Sequence, residues 1–213
     1  MSNPYEITRS FEQALCEYTG ATYAVAVNSC TAALQLCVQW CDRHGIERPQ
    51  TVVQIPRHTY CSVPMAIINA GCGVNWRDEN WRGVYQLKPF PIWDCARRFT
   101  STMYVPGHYQ CISFAASKIL GMEQGGAILH DNKEADSWFR DMRFDGRISG
   151  MMPEPDTVTC IGLHCIMLPS VAAQGLLRLH HLPKHNEDMP DYPYPDLSTF
   201  KVFSDENLRR HRL

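Results

Sequence analysis

Three places in the chain carry residues whose type and spacing could do chemistry. Lys118 is the single lysine of Ser113-Phe114-Ala115-Ala116-Ser117-Lys118-Ile119-Leu120-Gly121-Met122-Glu123-Gln124-Gly125-Gly126, a stretch rich in small residues. In a partly desolvated pocket beside positive charge a lysine loses its proton more readily, and only the neutral amine attacks a carbonyl carbon. The ordinary alternative is a solvated surface lysine. Asp94 directly follows Pro91-Ile92-Trp93, so its carboxylate is expected to be partly buried and to need a cation. That cation is a pyridinium nitrogen or, more plainly, Arg97 or Arg98. Ser29 and Thr31 precede an apolar helical run, where the first N–H groups and the positive dipole end would hold an anion such as phosphate. Simple helix capping explains the same two hydroxyls equally well.

Other reactive residue types point less far. The ten cysteines are scattered without a CxxC pair. The tightest group, Cys37-x3-Cys41-x2-His44, has an incomplete zinc ligand set inside a buried helical run, so core packing is the preferred reading over metal. His180, His181 and His185 lie near Pro183, Pro190, Pro193 and Pro195 and read as exposed residues of an irregular tail. Metal binding is therefore not expected. With 20 basic and 22 acidic side chains and a net charge of −2, nothing draws the chain to nucleic acid or to an anionic membrane. No leader and no apolar run near the roughly 20 residues of a bilayer span is apparent. A reduced, cytoplasmic setting is expected.

The elements that must position these residues follow from punctuation and period. Asn3-Pro4-Tyr5-Glu6 offers a helix start with Asn3 as cap, and Ile7, Phe11, Leu15 and Tyr18 recur at near-helical spacing up to Gly20. Tyr23 to Val27 reads as a strand, Asn28 to Thr31 as a polar turn and Ala32 to Cys41 as a helix. The unit recurs with a strand at Val52 to Ile55, a turn at Pro56 to Tyr60 and a helix from Val63 to Asn69 closed by Gly71. Further strands are expected at Val74 to Trp76, at Pro91-Ile92-Trp93, at Tyr109 to Phe114 and at Ala127 to Leu129, the last followed by a helix through Trp138 and Phe139. Such alternation predicts an α/β fold of three layers around a mainly parallel sheet, with ligands at the carboxyl ends of the strands.

Taken in order, these pieces resemble the DegT/DnrJ/EryC1/StrS sugar aminotransferases, pyridoxal-phosphate enzymes of the aspartate aminotransferase fold type I. "FEQALCEYTGATYAVAVNSCTAALQL" resembles the family's first helix, strand and phosphate turn, and "PRHTYCSVPMAIINAGC" its next unit. "IWDCARRF" is similar to the strand ending in the cofactor aspartate, and "SFAASKILGMEQGGAIL" to the lysine segment. "MRFDGR" and "GLHCIMLPSVAAQGLLRL" continue the match to about Leu179.

The resemblance implies that Lys118 forms an imine with pyridoxal 5'-phosphate and later moves protons at the substrate carbon. Asp94 would pair with the ring nitrogen and keep it protonated. Tyr60 would lie against the ring face, with His58 as its substitute, and Arg97 would reach the ring hydroxyl. Ser29, Cys30, Thr31 and Ser113 would hold the phosphate, and His164 would reach the phosphate of a neighbouring subunit in a homodimer with shared sites. The activity implied is transfer of an amino group from glutamate or glutamine to a keto group of a nucleotide-linked sugar. A compact enzyme of the same cofactor with another reaction (decarboxylase, dehydratase or lyase), or a non-catalytic dimer, stays open.

Departures from the family pattern accompany the matches. Arg97 stands where Gln or His is usual and Ile166 where Arg or Lys is usual. The interval from Trp76 to Asp94 is too short for the family's βα unit. The expected organisation is a large domain over residues 1–182, compacted between 77 and 93, and a Pro-rich tail over 183–213, with the family's C-terminal domain absent.

Overall fold

The computed structural model describes residues 5–44, 51–148, 151, 154 and 157–204. Helix α1 (Glu6–Thr19) ends at Gly20, whose φ of 82° and N–H bond to the Cys16 carbonyl form a left-handed cap. Its N-cap is Tyr5, with no side-chain bond; Asn3 and Pro4, expected at that end, lie outside the described residues. Then follow β1 (Tyr23–Val27), α2 (Cys30–Arg43), β2 (Val52–Pro56), α3 (Ser62–Asn69) and β3 (Gly73–Arg77). Next come β4 (Tyr85–Leu87), β5 (Ile92–Asp94), β6 (Tyr109–Ser113), β7 (Gly126–His130), α4 (Lys133–Met142) and α5 (Pro169–His181).

Five strands form a sheet in the order β1-β7-β6-β5-β4, and β2 and β3 pair in parallel beside it. Gln54 and Lys88 exchange backbone hydrogen bonds of 2.7 and 3.1 Å, which join the two sheets through an antiparallel bridge. Along the resulting surface β1, β6, β5, β2 and β3 share one direction, while β7 and β4 oppose it. The sheet is thus mixed, although most strands run the same way. Between β3 and β5 the only regular element is the reversed three-residue β4, a strand too short to leave a periodic signal in the sequence.

Alternation along the strands sorts the core into two layers. Val25, Val27, Cys111 and Ile128 face α2, α3 and α4, whereas Ala24, Ala26, Ile112 and Leu129 face α1 and α5. Gly175 of α5 lets the ring of Phe11 sit against the helix, since a Cβ there would lie 2.7 Å from that ring. On the edge beside β1, the carboxylate of Glu12 bonds Arg140 at 2.6 Å, pairs with Arg143 and accepts the Ala26 N–H at 2.9 Å. This network ties α1 to α4 and to β1. After α5 the chain does not trail away; residues 183–204 run back over the loops that follow β5 and β2, ending in 3-10 turns at Leu197–Thr199 and Lys201–Phe203.

Candidate functional site

Asp94 is the last residue of β5 and is 6% exposed. Its Oδ2 accepts the Tyr85 hydroxyl at 2.7 Å and its Oδ1 accepts the Ala96 N–H at 2.8 Å. Tyr85 is itself buried and shares a 2.6 Å hydroxyl contact with Thr59. Neither arginine foreseen as a partner takes that role. Arg98 forks onto Asp188 at 2.7 and 2.6 Å, and Arg97 donates to the Pro190 carbonyl. Among the described residues Asp94 has no ion pair. Burial pushes its pKa up, an effect partly offset by the Ala96 and Tyr85 hydrogen bonds and by the charge of Lys118.

Lys118 lies in the loop after β6, in a turn whose N–H bonds the Ala115 carbonyl at 2.8 Å. It is half-buried. Burial lowers its pKa, and the neighbouring Arg97 charge lowers it further, against the opposing pull of Asp94 and Cys30. The physical condition for a reactive amine, partial desolvation beside a cation, is therefore met in the fold.

The third component is built by two helix ends. Ser29 caps α2, its Oγ accepting the Ala32 N–H at 3.2 Å. The Thr31 hydroxyl lies 2.8 Å from that of Ser62, the first residue of α3, so the N-termini of both helices converge. The first-turn N–H groups of a helix have no carbonyl of their own to meet. Gly126 opens β7 directly against this turn. A Cβ there would stand 2.5 Å from the Cys30 nitrogen and 2.8 Å from the Ile112 carbonyl oxygen, which is why only glycine fits. Ser113, half-buried, pairs across the strands with Gly126. The thiol of Cys30 faces the Cys111 carbonyl at 3.6 Å; burial first and Asp94 second push its pKa well up, so it is a wall of the site and a poor nucleophile.

The remaining foreseen residues sit further out. Tyr60 is 59% exposed, just before α3. His58 is bonded to the Tyr194 carbonyl at 3.0 Å and its own carbonyl accepts the Trp81 indole N–H at 2.9 Å. The His164 ring is exposed and meets Asp145 at 2.9 Å, while the next residues pair with the end of β1 through an Asn28 N–H bond to Cys165 of 2.8 Å. Of the cysteine and histidine groups, Cys37 is buried against the Cys111 sulfur at 3.6 Å and the His44 ring turns to the Trp40 carbonyl. His180 and His181 belong to the last turn of α5, where an irregular tail was expected.

Sequence reasoning did not find Tyr85, Ser62 or the returning tail. Ser62 carried a usable signal, a hydroxyl opening an apolar helix after a turn. Tyr85 and the tail carried none, because their partners are distant in the chain. Among the described residues no helix is long and apolar enough to cross a membrane, and no group of three or more His, Cys, Asp or Glu could hold a metal ion.

With this geometry in place, comparison with known proteins is informative. The DegT/DnrJ/EryC1/StrS aminotransferase family matches residues 1–80, which span α1 to β3 and include the Ser29 turn but neither Asp94 nor Lys118. No curated protein sequence matches the chain. A DegT DnrJ EryC1 StrS aminotransferase from Brucella abortus superposes with a TM-score of 0.66 at 20% identity over 82% of this chain and 58% of that one. The sugar aminotransferase CalS13 from Micromonospora echinospora gives 0.66 at 18% over 82% and 61%. The protein ntda from Bacillus subtilis, solved with bound cofactor PMP, gives 0.66 at 18% over 83% and 48%. The chain therefore shares the fold expected from its sequence, and it spans about three fifths or less of the length of these solved proteins.

Proposed function

We propose that the chain is a pyridoxal 5'-phosphate-dependent aminotransferase, moving an amino group from glutamate or glutamine to a keto group of a nucleotide-linked sugar. The observation that carries this reading is Asp94, a buried carboxylate with no ion pair among the described residues, near a half-buried amine whose pKa burial and the Arg97 charge both lower. A flat protonated heterocycle with a phosphate arm suits these features: a buried acceptor for a ring N–H, an amine within the same neighbourhood, and two converging helix N-termini for the phosphate.

In this reading Asp94 accepts the ring N–H on the carboxylate lone pairs that Tyr85 and Ala96 leave over. Ser29, Thr31 and Ser113, with the first-turn N–H groups of α2, receive the phosphate, and Ser62 orients Thr31. Tyr60 stands beside the ring face, and His164 serves the second site of a homodimer. When bound, the group supplies an aldehyde carbon for Lys118 and a ring that withdraws electrons. Lys118 would hold the group through that carbon by its Nζ. The freed Nζ would carry a proton from the amino-bearing carbon of the donor and return one to the acceptor carbon in the second half-reaction. Burial first and the Arg97 charge second lower the pKa of Nζ, which favours both tasks. The sugar acceptor is suggested by the relative described as a sugar aminotransferase.

The test is to supply glutamate and a keto-sugar nucleotide to the cofactor-loaded protein. Release of 2-oxoglutarate coupled to an amino sugar supports the reading. A loaded protein that forms no amino sugar, and neither 2-oxoglutarate from glutamate nor 2-oxoglutaramate from glutamine, moves the chain to another reaction.

A further inference from the structure

Residues 184–197 leave α5 and cross the loops that follow β5 and β2, the side of an α/β sheet where ligands bind. The crossing is bonded along its length. The Lys184 carbonyl accepts the Ser101 N–H at 2.9 Å, and the Met189 N–H reaches the Arg97 carbonyl at 2.9 Å. Asp188 holds Arg98 through two bonds, 2.7 and 2.6 Å. Tyr194 accepts from His58 through its carbonyl and stacks on Trp81 at 6.0 Å and 19°. The Leu197 N–H closes the run on the Arg57 carbonyl at 3.0 Å. Gly83, at a φ of 69°, leaves the space in which the Asp188 carboxylate sits, since a Cβ there would overlap it.

Arg97 is buried beneath this segment. Its guanidinium donates to the Pro190 carbonyl and lies 5.9 Å from the centroid of the Tyr192 ring, a cation–π distance. The Tyr194 phenol lies close enough to Arg97 and Asp94 to feel both charges. Pro190, Pro193 and Pro195 restrict the unfolded chain and so reduce the entropy lost when the segment docks.

We propose that residues 188–194 form a fixed wall of the cofactor site, in which the Pro190 carbonyl and the Tyr192 ring position Arg97 beside Lys118 and the Asp188–Arg98 pair latches the wall in place. The proposal rests on the cofactor reading above and adds to it a segment that is remote in sequence. Tyr192 is here a positioning residue, acting through Arg97.

The test uses the full chain, with two readouts: amide hydrogen exchange over 184–197 and the dissociation constant for pyridoxal 5'-phosphate. Asp188→Arg sets two guanidinium groups together, so exchange over 184–197 accelerates and affinity falls by about tenfold. Adding Arg98→Asp restores the pair in reverse and recovers both. Tyr192→Leu, at a position 60% exposed, should weaken affinity without unfolding the chain, and Tyr192→Phe should not. Asp188→Arg that frees the segment yet binds the cofactor like the wild type overturns the proposal, as does unchanged exchange, or unchanged affinity in Tyr192→Leu. A wild-type chain that binds no cofactor is a separate result, read before any variant, and removes the functional reading along with the wall.

Discussion

Two buried carboxylates of this chain have opposite fates. Glu12, in α1, is 4% exposed and Asp94, at the end of β5, is 6% exposed. Burial alone would raise the pKa of both. Around Glu12 the Arg143 and Arg140 guanidinium groups outweigh burial, and its pKa is lowered. Around Asp94 the Ala96 N–H, the Tyr85 hydroxyl and the charge of Lys118 oppose burial without outweighing it, and its pKa is raised. A buried carboxylate with its cations in place holds the structure together, as Glu12 does for α1, β1 and α4. One without them keeps acceptor capacity for a cation that arrives with a ligand.

This contrast can be broken at either end. The largest effect is expected at the amine beside Asp94: Lys118→Ala should abolish turnover while thermal unfolding stays near the wild type, measured by steady-state assay and calorimetry. Asp94→Asn should lower turnover by about 10²–10³ through loss of ring protonation, again without unfolding the chain. Normal turnover in that variant would make Asp94 structural, like Glu12. Glu12→Gln should do the reverse, destabilising the fold by about 3–5 kcal/mol in denaturant titration because Arg140 and Arg143 lose their buried partner, with turnover per folded molecule unchanged.

A pH series sharpens the same comparison. Because the folded pKa of Glu12 lies below its ordinary 4.5, its contribution to stability is complete above that value and is lost as pH falls through the lower folded pKa. The stability gap between wild type and Glu12→Gln should therefore be constant near neutrality and narrow in acid. The smallest effect is expected at Ser29→Ala, about 1 kcal/mol of stability from the lost cap of α2, accompanied by weaker phosphate retention.

Much of the candidate site's local structure was legible because its parts are local. The run from Tyr23 through Thr31 announces strand, turn and helix, Asp94 ends an apolar strand, and Lys118 precedes Gly125 and Gly126, the second of which leaves room for the Cys30 nitrogen. What was not legible depends on pairs far apart in the chain. Arg98 finds Asp188 across 90 residues and Arg143 finds Glu12 across 131, and no local period encodes such partners. The reversed β4 escaped for a different reason: three residues are too few to display alternation, and its Tyr85 matters only through the carboxylate it reaches. The Pro-rich composition of 183–213 reads as an irregular tail, and composition alone could not say that its described part, up to Ser204, would dock.

The central claim is that the amine of Lys118, its pKa lowered by burial and by Arg97, captures an aldehyde near Asp94. The most direct measurement is to add one equivalent of pyridoxal 5'-phosphate to the full chain, reduce with borohydride and map the modified peptide by mass spectrometry. The account predicts a visible band before reduction and a label confined to Lys118, with Lys88, Lys133, Lys184 and Lys201 unmodified. A protein that stays colourless, or a label spread over all these lysines, would contradict it.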